Sequence, residues 1–170
     1  MRRLSVHRTG AVAALGLAAL FASASRSPSP HFVWNASASA PLGLYRVAQK
    51  GKLSTGDLVL AWAPESARRL AAERGYLPRS VPLTKRAAAT AGDMVCVSEW
   101  RILINGKVAA TLLTADRQGR PLPSWTGCRN LATDEVFLLM AEVPQSFDSR
   151  YFGPIRTSAI LGKLVPLWTW

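Results

Sequence analysis

From Asp57 to Trp170 the apolar residues fall into short runs, several of them bounded by glycine, proline or asparagine, and this punctuation restricts the fold more than any other feature. Runs that short suit strands, whereas a helix that buries a face needs a longer periodic stretch. Asp57–Trp62 reads as a strand behind a turn at Ser54-Thr55-Gly56. Met94–Val97 and Arg101–Val108 read as two more, the second carrying the Asn105-Gly106 signal of a hairpin turn. Glu135–Glu142 and Ile160–Trp170 complete the set, the last tucked against the sheet. One helix is expected, opened by Pro64, carried by Glu65, Ala67, Leu70, Ala71 and Ala72, and stopped by Gly75. Thr114–Asn130, with Gly119, Pro121, Pro123 and Gly127, predicts a surface excursion. The expectation is a mainly β domain of several short strands with one short helix and no internal repeat.

At 170 residues, with 49% hydrophobic and 18% charged, the chain supports one domain with a real core and is not disordered. A different pattern precedes the domain. Met1–Arg8 is basic and Gly10–Ser25 is almost wholly Ala, Leu, Val and Phe. This divides the chain into a cytoplasmic stub (1–9), a membrane anchor or signal segment (10–26) and an exported domain (27–170). Ala22-Ser23-Ala24 resembles a signal cleavage site, so a cleaved signal and an uncleaved anchor both stand, with the anchor preferred. Either way the charge before the apolar run leaves the domain outside the cytoplasm, with Phe32 and Trp34 placed to sit at head-group level.

The net charge is +11, from 21 Lys and Arg against 10 Asp and Glu. These basic residues are scattered, bunching only at Arg68, Arg69 and Arg74 on the expected helix, and no nucleic-acid motif accompanies them. No nucleic-acid partner is expected; an anionic membrane surface suits the surplus. Cys96 and Cys128 with two distant histidines are too few ligands for a zinc site, so neither metal nor cofactor is expected. In an exported domain they are either bridged or two separate thiols, and both readings stand.

The chemistry concentrates in three pieces. Asn35-Ala36-Ser37-Ala38-Ser39-Ala40-Pro41-Leu42-Gly43-Leu44-Tyr45 offers a serine just beyond the apolar segment. A serine hydroxyl needs a base, and neither His7 nor His31 is placed like the base of a triad, which leaves lysine. The second piece, Lys85-Arg86-Ala87-Ala88-Ala89-Thr90-Ala91-Gly92-Asp93, supplies one. The third is Ser146-Phe147-Asp148-Ser149-Arg150-Tyr151-Phe152-Gly153-Pro154.

Together these pieces resemble the membrane-bound type I signal peptidases, and in particular their relatives in conjugative plasmid transfer, the TraF-type conjugal transfer peptidases. The resemblance spans nearly the whole exported domain. It implies a signal-peptidase-like β domain on the periplasmic side of the bacterial inner membrane, with Ser39 as nucleophile and Lys85 as general base. It also implies Ser146 as a hydrogen-bond partner of the lysine, Asp148 and Arg150 as a supporting pair, and Ser37 as an oxyanion donor. The closing Gly162-Lys163 to Pro166-Leu167-Trp168 stretch resembles the same branch. The Gly-Asp-Asn-Arg run of general signal peptidases is replaced here by Ala141-Glu142-Val143-Pro144-Gln145, which favours a specialised substrate, and Ala91 stands where a proline usually precedes Gly-Asp. The implied activity is maturation of the conjugative pilin subunit, including in some members joining of its ends, with other conjugation-apparatus proteins as partners.

A free lysine is protonated at neutral pH, with a pKa near about 10.4, so a lysine base requires an apolar pocket. Val81, Leu83, Ala87 and Ala89 would share a face with Lys85 on a strand and turn Arg86 the opposite way. Two rival readings remain: a general signal peptidase acting on many preproteins, and a non-catalytic exported β domain binding lipid or assembly partners. Self-cleaving Ser/Lys repressors share the chemistry, but the apolar N-terminus here replaces their DNA-binding domain.

Overall fold

The computed structural model describes residues 30–170. The basic stub, the apolar segment, the Ala22-Ser23-Ala24 site and His7 lie outside the described residues. Among the described residues no helix is long and apolar enough to cross a membrane.

Among the described residues eleven strands form two antiparallel sheets. The larger has the order β1-β2-β11-β3-β4-β9-β10 and the smaller β7-β6-β5-β8. In the larger sheet these are β1 Phe32–Asn35, β2 Gly43–Ala48, β3 Leu58–Ala61, β4 Leu83–Ala89, β9 Glu135–Leu138, β10 Ile155–Arg156 and β11 Ile160–Thr169. The smaller holds β5 Met94–Ser98, β6 Arg101–Ile104, β7 Lys107–Thr111 and β8 Gly127–Asn130. Helix α1, Glu65–Glu73, starts after Pro64 and buries Ala67 and Ala71, matching the sequence signals at both ends. A second helix, α2, has four residues, Ser149–Phe152, capped by the Asp148 side chain, which accepts the Arg150 N–H.

Mainly β architecture is thus observed, with several local departures. Arg101–Val108 is not one strand. It folds back at Asn105-Gly106, whose φ angles of 50° and 78° meet the requirement of a type I′ turn. The excursion after Thr114 ends in a strand, β8, because Cys128 is bonded to Cys96 across the β5–β8 pair. Within that excursion Leu122 and Trp125 pack on the core. The strand expected to reach Glu142 stops at Leu138, since the carbonyls of Met140, Val143 and Pro144 turn to the Arg150 guanidinium instead of a neighbouring strand. Val81 lies before β4 and is exposed, so the lysine-bearing face begins at Leu83.

Strands β1 and β2 went unread in the sequence. The closing strand runs as β11, Ile160–Thr169, inside the sheet between β2 and β3, pairing with both. The close fit there depends on Gly43, with φ at 141°: a Cβ would meet the Trp168 carbonyl oxygen at 2.0 Å.

The core unites the sheets. Val95, Val97, Ile102 and Ala110 of the small sheet pack on Ala89, Phe137, Leu139 and Tyr151. One face of the β1-β2-β11 corner, with Tyr45 and Leu164, is buried. Its other face carries exposed Phe32, Trp34 and Trp168, and Trp34 packs against both Trp168 and Trp170.

Candidate active site

Strand β4 lies inside the larger sheet, paired with β3 along Leu83–Arg86 and with β9 at Ala87 and Ala89 across a register shift. Side chains alternate along it, so Leu83, Lys85, Ala87 and Ala89 are buried while Arg86 is exposed and donates to the Gly56 carbonyl. Of the chain's five lysines, Lys85 is the one that is buried, at 5% exposure. Its Nζ donates to Ser39 Oγ at 3.0 Å and to Ser146 Oγ at 2.8 Å.

Burial pushes the Lys85 pKa down from 10.5 to about 8. The fields of two nearby ions oppose each other: the Asp148 carboxylate raises the value and the Arg150 guanidinium lowers it. Desolvation therefore decides, and near pH 8 a large fraction of the amine is uncharged.

Asp148 and Arg150 are wholly buried. Arg150 Nε and Nη2 donate to the two carboxylate oxygens at 2.8 and 2.9 Å, a bidentate pair. The same guanidinium takes the carbonyls of Met140, Val143, Pro144 and Thr111. Asp148 also accepts the Met140 N–H at 3.1 Å. This one pair thereby organises the backbone that leads into Ser146. On the other side of Ser146, the Phe147 ring is held by Tyr76, Tyr151 and Phe152 at centroid distances of 5.5, 5.7 and 5.7 Å.

Ser39 sits on the loop between β1 and β2, half-buried, beside exposed Ser37. Their hydroxyl oxygens are 2.9 Å apart, and the Ser39 N–H donates to Ser37 Oγ at 3.3 Å. The structure therefore gathers Ser37, Ser39, Lys85 and Ser146, with Asp148 and Arg150 directly behind. Cys96 and Cys128 lie apart from this group, bridged in the small sheet. His31 is exposed just ahead of β1.

Sequence reasoning missed Asn35, which is buried and hydrogen-bonded throughout the loop that carries Ser39. It also missed Ser149, buried, whose Oγ accepts the Leu138 N–H at 3.0 Å. The available signal for Asn35 was its place at the head of the Ser-rich motif. Among the described residues no cluster of three or more His, Cys, Asp or Glu side chains is arranged to hold a metal ion.

The family model described as signal peptidase, peptidase S26, matches residues 6–169. The chain belongs to the peptidase S26 signal peptidase family. The plasmid transfer protein TraF of Escherichia coli is 33% identical over 146 residues, covering 80% of this chain and 82% of that protein. The probable conjugal transfer protein TraF of Sinorhizobium fredii is 39% identical over 138 residues, covering 75% and 72%. The conjugal transfer protein TraF of Agrobacterium fabrum is 34% identical over 145 residues, covering 79% and 81%. The crystal structure of a signal peptidase I from Enterococcus faecalis aligns with a TM-score of 0.41 at 16% identity, over 69% of this chain and 100% of that one. Ser37, Ser39, Lys85, Ser146, Asp148 and Arg150 all fall inside the span that the S26 family model matches.

Proposed function

We propose that the protein is a Ser/Lys endopeptidase that matures the conjugative pilin subunit during plasmid transfer, with Ser39 as nucleophile and Lys85 as general base. The observation that carries the reading is the 3.0 Å contact from a buried lysine to a half-buried serine hydroxyl. Neutral Lys85 takes the Ser39 proton as Ser39 Oγ bonds to the peptide carbonyl carbon, and the tetrahedral oxyanion collapses as the C–N bond breaks. The ammonium returns its proton to the departing amine. Ser146 holds the amine between these steps, and the Ser39 N–H with the Ser37 hydroxyl serves the oxyanion.

An open strand edge supports peptide binding. Strand β9 joins β4 only from Arg86, whose carbonyl accepts the Leu139 N–H, so among the described residues Leu83–Lys85 has no strand partner on the side away from β3. By alternation Thr84 turns its N–H and C=O to that edge, where an extended substrate can pair.

The exposed face of β1, β2 and β11, with Phe32, Trp34, Trp168, Trp170 and the basic Arg46, has the composition of a surface resting in lipid head groups. This favours a site at the periplasmic face of the inner membrane, where an anchored pilin precursor presents its bond. The acyl-enzyme then yields a linear product if water attacks it, or a ring, lighter by one water, if the substrate's own amine does.

Mass spectrometry of pilin from cells carrying wild type, Ser39→Ala or Lys85→Ala tests the reading. Unprocessed pilin is expected in both variants. Normal maturation in either would favour a non-catalytic role, and accumulation of many unprocessed exported proteins would favour a general signal peptidase.

A further inference from the structure

The loop that carries Ser39 has no regular secondary structure, yet it must present a hydroxyl and an amide within a few tenths of an ångström. Its shape traces to one side chain. Asn35, 5% exposed, ends β1 opposite Gly43 of β2. Its Nδ2 lies 3.0 Å from each of the Ser37, Ala40 and Pro41 carbonyl oxygens, and its Oδ1 accepts the Ser37 N–H at 3.2 Å. A carboxamide has two N–H donors, so three carbonyls share them, and its donor capacity is fully spent on this loop.

The loop's own bond, from the Ala40 N–H to the Ser37 carbonyl at 3.3 Å, closes a turn with Ser39 at its third position. Asn35 therefore grips both ends of the turn that holds Ser39. One further tie, from Tyr45 Oη to the Pro41 carbonyl at 2.7 Å, secures the exit. The grip is rigid because Asn35 is within the β1–β2 ladder, and β2 is in turn paired to β11.

We propose that Asn35 is a positioning residue that clamps the Ser37–Ala40 turn, holding the Ser39 hydroxyl over Lys85 and keeping the Ser39 N–H and Ser37 hydroxyl together as the donor pair for the substrate carbonyl oxygen. This rests on the Ser39–Lys85 reading. Asn35 does not touch the substrate; it acts through Ser37 and Ser39. In Asn35→Asp the shape is preserved but an anionic acceptor replaces the donor that faces three carbonyl oxygens, which expels them and opens the turn.

The test uses the full chain in detergent micelles with the pilin precursor as substrate, rates being normalised to the folded fraction from circular dichroism. Asn35→Asp is expected to lower kcat/KM about 100-fold, the scale of a lost oxyanion donor. A double-mutant cycle separates positioning from bulk destabilisation. Ser37→Ala should slow the wild type about tenfold or more, yet cost almost nothing in the Asn35→Asp background, because the donor pair is already dispersed. Additive losses, or Asn35→Asp at wild-type rate, would overturn the proposal. If Asn35→Asp does not fold, Asn35→Ser, with one hydroxyl donor for one carbonyl, takes its place in the same cycle and is held to the same two outcomes. Ser39→Ala and Lys85→Ala run beside them: full activity in either sinks the dyad and this proposal together, whereas inactivity there with an additive cycle sinks the clamp alone.

Discussion

The carboxylate of Asp148 and the guanidinium of Arg150 meet at 2.8 Å with neither side chain reaching solvent, and they act on Lys85 in opposite directions. Burial is the largest influence on the lysine's charge and sets the direction of the shift. The pair, which follows Ser146 in the chain, also ties down Val143 and Pro144 just before it, so it sets the geometry of the site as well as its field.

Replacing one ion should expose both roles. Arg150→Met leaves a buried carboxylate without its partner and should lower stability by about 3–5 kcal/mol in chemical denaturation. In whatever fraction folds, the remaining Asp148 charge should raise the Lys85 pKa. Lysine-selective nitrogen-15 NMR reads this directly, since the chain has only five lysines; an unmoved or lowered value would contradict the opposing-field account.

The pH dependence follows from the Lys85 pKa of about 8. Cleavage should increase about tenfold per pH unit below that value and level off above it, if neutral lysine is the base. The sign for stability is worked out separately. A lysine whose folded pKa is depressed binds fewer protons folded than unfolded between about 8 and 10.5, so its contribution to stability rises with pH across that window. Below it both states are protonated and the folded state bears the whole burial penalty. Lys85→Met should therefore abolish cleavage while stabilising the fold at neutral pH by up to about 3 kcal/mol, with a flatter pH profile of denaturation midpoints. A Lys85→Met protein less stable than wild type at pH 7 would refute the penalty.

The disulfide between Cys96 and Cys128 joins β5 to β8 across a separation of 32 residues. By chain entropy its removal in Cys96→Ser/Cys128→Ser should cost about 3–4 kcal/mol. None of the Lys85 hydrogen bonds involves either strand, so cleavage at low temperature should persist at near wild-type rate. Loss of activity in the folded double variant would show that the small sheet governs the site.

Trp34, Trp168 and Trp170 form one exposed cluster, with centroid distances of 6.3, 5.4 and 5.2 Å. In vesicles containing brominated lipid, the full chain should show strong tryptophan quenching that falls when all three are changed to serine. The chain has six tryptophans, so the residual signal from Trp62, Trp100 and Trp125 serves as the internal reference. Equal quenching before and after substitution would remove this face from contact with lipid.

Much of this site could be read from the chain alone because its chemistry is written locally. The alternation Leu83, Lys85, Ala87, Ala89 already commits a lysine to a buried face, and the Asn105-Gly106 and Pro64-to-Gly75 signals set a hairpin and a helix through backbone preference alone. The resemblance carried by the three boxes led to the expectation that Ser39, Lys85, Ser146, Asp148 and Arg150 lie together, and the structure brings these side chains together. What local pattern leaves undecided is contact between distant segments, which here was expected only through the resemblance. The lysine reaches across 46 residues to Ser39 and 61 to Ser146, and only packing of the β1–β2 corner and the Arg150-bound loop against β4 brings them within bonding distance. The same cause hid β11 between β2 and β3, and it hid Asn35, whose carboxamide becomes a clamp only once a loop folds around it. Periodicity records which face a residue turns inward. Which faces then meet is decided by the joint burial of distant apolar surfaces, a property of the assembled fold.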